Sequence, residues 1–359
     1  MNKFGKTIKL LLIIFIMSEI IIKKKNYDIN LALLKIYLSF LVINSHCLKK
    51  QNIENKYLLK LLVNNLHVPI FFIISFYFCH NLFISKNIIK IKQRFERILL
   101  PYCIWPIIIW ILSNLINLIV QRKLKYSFND LKMQLLAGHC FITVLWFQYN
   151  LIFITLLMII IKLLFKYNDL LIFIILWNIA YFLQFSNINY KIFSKYHYNI
   201  KYTFGRFIEI LPYCITGYIL SSIKLIDILK KYRSKSVSII IIFLFLLIKS
   251  NIFVRVNGFK YQGINLYIVS VSLFIVTSIL STHKINNNII IVKIVKILSN
   301  HTPGIYYLHI PINNYLKYYI ILIKNRTIFG CIIIYLFCYF ISTIGIILFK
   351  NTKLRHLFQ

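Results

Sequence analysis

Long apolar runs broken by short cationic clusters constrain this chain more than any other feature of its sequence. Ile98 to Val120, Phe141 to Phe165 and Thr327 to Phe349 are the plainest of them. Each reaches the ~20 residues that a helix needs to cross a ~30 Å hydrocarbon core. Composition agrees: 60% of the 359 residues are apolar and 14% charged, with 43 Lys and Arg against 8 Asp and Glu for a net +35. A soluble domain carries about a quarter of its residues as charges of both signs. A soluble enzyme, a disordered chain and a secreted disulfide scaffold are thereby excluded, and a polytopic all-α membrane protein remains. The cationic clusters are separated by spans and form no continuous basic face, so they fit lipid headgroups or an anionic ligand better than nucleic acid.

Apolar windows and their polar breaks predict about ten transmembrane helices in one bundle, with cores near 31–48, 65–85, 98–120, 141–163, 169–184, 207–223, 237–254, 265–281, 303–323 and 328–349. An even number of spans puts both termini on one side. Placing them in the cytoplasm leaves 24 cations inside, 18 outside and Lys35 within a span, a positive-inside bias of the expected sign. Residues 1–25 form a basic and apolar leader, read as an interfacial segment or as untranslated sequence ahead of a start at Met17. Residues 26–359 make one membrane domain. The cysteines Cys47, Cys79, Cys103, Cys140, Cys214, Cys331 and Cys338 show no C-x-x-C pairing and read as small core residues, with no metal site implied.

Inside a bilayer the informative side chains are ionisable, each costing about 2.5–3.5 kcal/mol at a helix centre on insertion scales. Lys35 and His46 stand eleven residues apart in the first span, which is three turns plus ~20° and ~16 Å of rise, so both project from nearly one helix face. From composition alone, snorkelling of Lys35 to the inner headgroups with His46 at the outer interface is the plainer reading; as chemistry, His46 is a proton acceptor with an unperturbed pKa near neutrality. Arg94 and Arg97, at i,i+3, put two guanidiniums on one face at the inner mouth of the third span, a pair that suits phosphate oxygens or a positive-inside anchor. Pro69 to Ser75 places a proline and a serine in an apolar helix. Trp146 follows the outer loop, His309 stands beside Pro311, and Glu209 is one of eight acids, at the outer end of the sixth span.

In combination these elements resemble the acyltransferase 3 family of integral membrane acyltransferases, which modify sugars of surface polysaccharides and related glycans. The matching pieces come in family order: Lys35 with His46 (basic-x10-His), Pro-x-Phe-Phe-x-x-Ser at 69–75, Arg94-x-x-Arg97 leading into Leu-Leu-Pro-Tyr, Leu-Trp-Phe at 145–147, Gly217-Tyr218 after Pro212, and Tyr306-x-x-His309-x-Pro311. The chain departs from the family by having Phe76 where glycine follows the serine, and Lys35 where arginine is usual.

The resemblance implies an O-acyltransferase of the plasma (inner) membrane that moves an acetyl or other short acyl group from cytoplasmic acyl-CoA to a hydroxyl of a cell-surface or lipid-linked glycan. No cofactor is held permanently; acetyl-CoA is the donor substrate. Arg94 and Arg97 would take the donor's phosphates, and Lys35 its pyrophosphate or pantetheine end. His46, buried and bordering the same passage as the guanidinium pair, would be the catalytic base, acting directly or through an acyl-His46. Ser75 and His309 are candidate oxyanion donors, and Trp146 and Glu209 possible supporting residues. A polytopic transporter of glycans or lipid-linked oligosaccharides, without covalent chemistry, is the alternative that the same basic, aromatic-rich pattern allows.

Overall fold

A computed structural model describes residues 28–47, 66–84, 88–121, 124–138, 145–165, 169–185, 200–232, 264–280, 289–316 and 327–358, with a few isolated positions besides. Among these the fold is all-α, without a strand. Nine of the ten predicted windows hold a helix: α1 (Ile29–Cys47), α2 (His67–Ile84), α3 (Ile88–Gln121), α5 (Trp146–Leu164), α6 (Asp169–Phe185), α7 (Ile200–Ser222), α9 (Ile264–Ile279), α11 (Thr302–Leu316) and α12 (Ile328–Leu348). The window 237–254, apart from helical positions 237, 239 and 240, and the leader 1–25 lie outside the described residues. Three shorter helices, α4 (Phe128–Ala137), α8 (Leu225–Lys231) and α10 (Ile289–Asn300), and a C-terminal 3-10 turn (Lys353–Leu357) complete the order.

Length and composition qualify four of these helices to cross a bilayer: α1, α3, α5 and α12. A fifth is added if α7 and α8 form one span, bent by 59°. The bend falls where Lys224 takes a left-handed conformation (φ 50°), which a side chain with a Cβ adopts at a cost of ~1–2 kcal/mol. Helices α2, α6 and α9 are apolar but shorter.

α12 shows how the sequence builds a lipid-facing helix. Phe329, Leu336, Phe340 and Leu348 are exposed, while Ile334 and the small residues Gly330, Cys331, Cys338, Ser342 and Gly345 are buried. Small side chains make up most of the face turned to the bundle, and most large ones face outward, the reverse of a helix in water. Thr327 caps its start, accepting from the Gly330 amide at 3.1 Å. α1 starts the same way, with the amides of Asn30 and Leu31 donating to Asp28 Oδ1 at 3.1 Å each.

Close backbone approach fixes the centre of the bundle. A Cβ on Gly217 of α7 would lie 2.3 Å from the carbonyl oxygen of Ile73 in α2, so only glycine permits this crossing. Pro69 occupies the first turn of α2, where its missing N–H leaves no hydrogen bond unmade; it starts the helix and does not interrupt it. Of the cysteines whose side chains are described, Cys79, Cys214, Cys331 and Cys338 are buried and Cys103 is exposed, all as free thiols.

Candidate functional site

At the C-terminal end of α1 the ring of His46 packs against that of His309 from α11, with centroids 5.1 Å apart and planes at 47°. His46 is the penultimate residue of its helix, and it is exposed. The expected buried imidazole is instead His309, which is fully enclosed. Its Nδ1 lies 2.7 Å from the carbonyl of Tyr306 and 3.3 Å from that of Ile305. Two carbonyl oxygens at Nδ1 require a proton there, which leaves Nε2 with its lone pair. That Nε2 has no hydrogen-bond partner among the described residues.

An aromatic wall continues from this pair. Tyr306 stacks toward His309 at 6.0 Å, Phe147 of α5 toward Tyr306 at 5.2 Å, and Phe72 of α2 toward Phe147 at 4.4 Å. Trp146, one residue before Phe147, carries the guanidinium of Arg206 5.6 Å from its ring centre. Arg206 also binds Glu209, Nη1 to Oε2 at 2.6 Å. Glu209 is completely buried and paired within its own helix, one turn from its partner. The i,i+3 spacing of Arg206 and Glu209 was the available signal for Arg206, which the sequence reading passed over.

The second assembly lies toward the other end of the bundle. Arg94 of α3 turns inward: its Nη2 donates to Ser75 Oγ at 3.0 Å, and its guanidinium sits 5.7 Å from the ring centre of Phe76. Ser75 is therefore tied to an arginine and is not brought to the histidine pair by any contact shown. Phe76, standing where the family has glycine, is fully buried and supplies an aromatic face to that cation. Lys35 of α1 holds its Nζ 5.5 Å from the centre of the Phe78 ring, on the same helix α2.

Arg97 behaves differently. Three residues along a helix rotate by ~300°, so Arg97 is offset by ~60° from Arg94. That offset lets Arg94 enter the bundle while Arg97 stays exposed, and the expected two-guanidinium face is divided. Beside Arg97 lies the C-terminal turn, outside the membrane-spanning segments. Lys353 Nζ binds Glu96 Oε1 at 2.8 Å, Trp105 Nε1 donates to the Leu357 carbonyl at 3.1 Å, and Ser342 Oγ donates to the Phe358 carbonyl at 2.9 Å. Partial burial, with Arg97 and Arg355 nearby, holds the His356 imidazole below its ordinary pKa. Sequence reading placed nothing in this tail beyond inward-facing cations.

The acyltransferase domain model Acyl_transf_3 matches residues 28–350, which covers both assemblies and ends just before the C-terminal turn. No curated protein and no solved structure matches the chain.

Proposed function

Since the chain belongs to the Acyl_transf_3 family and is a multi-pass helical membrane acyltransferase, we propose that it transfers an acetyl or other short acyl group from acyl-CoA, bound at the Arg94 and Lys35 end, to a glycan hydroxyl held at the His46 end. The observation that carries this reading is the imidazole pair: one ring exposed and able to meet an acceptor, the other buried with a free lone pair. With a small rotation His309 Nε2 accepts an N–H from His46, which fixes the tautomer of His46 and leaves its second nitrogen basic. This is the base-and-orienter logic by which a buried group sets the direction of a catalytic imidazole.

In the reaction so drawn, His46 takes the proton of the acceptor hydroxyl as that oxygen attacks the thioester carbonyl. The carbon–sulfur bond then breaks, and the departing thiolate receives the proton. Arg94 stands ready as a fixed guanidinium for a phosphate of the donor, and Lys35 as a second cation near it. The phosphates of CoA bar it from lipid, so the donor arrives from the cytoplasm. This sets the N-terminal end of α3 and the C-terminal turn inside, in the plasma membrane, with the acceptor glycan, cell-surface or lipid-linked, outside.

The test is thioester consumption by the purified full-length protein in lipid nanodiscs, with acetyl-CoA and a crude glycan acceptor fraction. Wild type is expected to release free CoA only when the acceptor is present, and His46→Ala to lower that release by 10²–10⁴-fold, the range typical of a lost general base. Undiminished turnover by His46→Ala removes the assigned base. A protein that moves glycan across the bilayer without consuming thioester is a transporter, and the enzymatic reading then fails.

A further inference from the structure

The C-terminal turn is docked with more structure than a trailing tail needs. Phe358 is wedged against α11 and α12: a Cβ at Gly304 would lie 2.7 Å from its carbonyl oxygen, and a Cβ at Gly345 would lie 2.6 Å from its ring. Its ring also meets Trp105 edge-on at 5.6 Å and stacks on Phe349 at 6.1 Å. Together with the hydrogen bonds from Trp105 and Ser342 and the Lys353–Glu96 ion pair, these contacts fix the turn against the inner part of α3.

What the docking brings together is charge of one sign. Lys92, Arg97, Lys353 and Arg355 share this corner with a single carboxylate, Glu96, which Lys353 already occupies. Arg97 and Arg355 are exposed and have no ion pair among the described residues. Folding has placed these cations together despite their mutual repulsion, with tight packing on either side to hold them there. Such an arrangement is stabilised when an anion arrives, and a phosphate matches exposed guanidiniums in geometry as well as charge. The family match ends at residue 350, so membership of the family does not itself supply Arg355 and His356.

We propose that Arg355 and His356 of the C-terminal turn join Arg97 in a second phosphate site, distinct from Arg94, which receives a phosphomonoester dianion at the inner mouth. This rests on the acyl-CoA reading above, in which that group is the 3′-phosphate of the donor; an anionic lipid headgroup offers the same chemistry from another source. Arg97 and Arg355 supply charge close enough to act on His356, which adds a further donor. His356 gains a proton more readily once the anion offsets the two guanidiniums that hold its pKa down.

The full-length protein in nanodiscs of neutral lipid is titrated with CoA and with 3′-dephospho-CoA, and binding is followed by calorimetry. Wild type is expected to bind CoA at least tenfold more tightly than the dephospho form. In Arg355→Gln/His356→Gln that preference is expected to fall to about twofold or less through weaker binding of CoA alone. Arg355→Lys/His356→Arg, which keeps a cationic donor at both positions, is expected to restore most of it and guards against a loss caused by misfolding. Equal affinity of the wild type for the two ligands, or full preference retained in the Gln variant, overturns the proposal. A preference that the Gln variant keeps, together with lost retention on vesicles containing phosphatidic acid, assigns the cations to lipid and overturns it too. Absence of any CoA binding by wild type refutes the acyl-CoA reading itself, a result separate from the others.

Discussion

The two ends of the bundle solve a similar problem with opposite means. At one end two imidazoles come from residues 263 positions apart in sequence, and burial divides them: His309 is enclosed and His46 is open. At the other end two guanidiniums come from adjacent turns of α3, and helix geometry divides them, Arg94 into the bundle and Arg97 to the surface. In both places one group is held by fixed partners and the other is left accessible. The fixed partner is fully determined by packing, since His309 is held by two carbonyls and Arg94 by Ser75 and Phe76. Each end thus presents one group held by fixed partners beside one that is accessible.

The sharpest way to break this comparison is at His309. If the buried ring orients His46, His309→Phe keeps the volume and the packing but removes the Nε2 lone pair. Turnover is expected to fall by 10- to 100-fold, with the pH dependence of kcat displaced because His46 loses its partner. His309→Gln, which keeps a hydrogen-bonding side chain, should recover part of the rate. The check is the pH–rate profile of both variants beside wild type, at matched folded amounts judged by size-exclusion elution. A His309→Phe profile identical in rate and shape to wild type makes the buried ring a packing residue only.

The arginine end gives the next largest effect. Arg94→Gln removes the charge from the bundle interior and leaves Ser75 Oγ without its donor. Since donor phosphate is the proposed ligand, KM for acetyl-CoA is expected to rise about 10- to 50-fold, with kcat changed less. Ser75→Ala removes only one hydrogen bond to a charged group, on the order of 1.5–3 kcal/mol when buried. Its effect should therefore be felt through the aim of Arg94 and be smaller than that of losing the guanidinium. A steady-state KM and kcat measurement on the two variants decides the order. If Ser75→Ala proves the more damaging, the hydroxyl acts on the reacting group itself and the inner assembly has to be redrawn.

Much of this was written in the sequence, but unevenly. Helix positions were legible because apolar runs are long and a bilayer admits few alternatives to helices. The histidine pair was not, although both residues were identified, since nothing local in α1 reports which of several later helices will cross it. The separation of Arg94 from Arg97 was hidden for a different reason: a shared face at i,i+3 is correct for the backbone, yet ~60° of rotation is enough to put one side chain inside and the other out. Gly217 carried its reason in the sequence only as a missing side chain, and the carbonyl of Ile73 that requires it belongs to another helix. The docked tail was invisible because its partners, Trp105, Gly304, Ser342 and Gly345, are scattered over three helices.

The smallest expected effect comes from a region belonging to neither end, and it tests whether the two assemblies are really where function resides. α4 returns across the face of α3: Tyr102 OH donates to the Leu135 carbonyl at 2.6 Å, and Trp110 Nε1 donates to the Ser127 carbonyl at 3.0 Å. Ser127 and Asp130 form a reciprocal cap at its start, and Gly138 closes it in a left-handed conformation with its amide bonded to Gln134. Ser127→Ala removes the side-chain half of that cap, for which ~1 kcal/mol is typical. The expected outcome is a lower melting temperature in detergent with kcat and KM for acetyl-CoA unchanged. A fall in turnover without a fall in stability would mean that α4 transmits to the inner arginines through α3. The contrast between the two ends would then have to be extended to a third element that steers one of them.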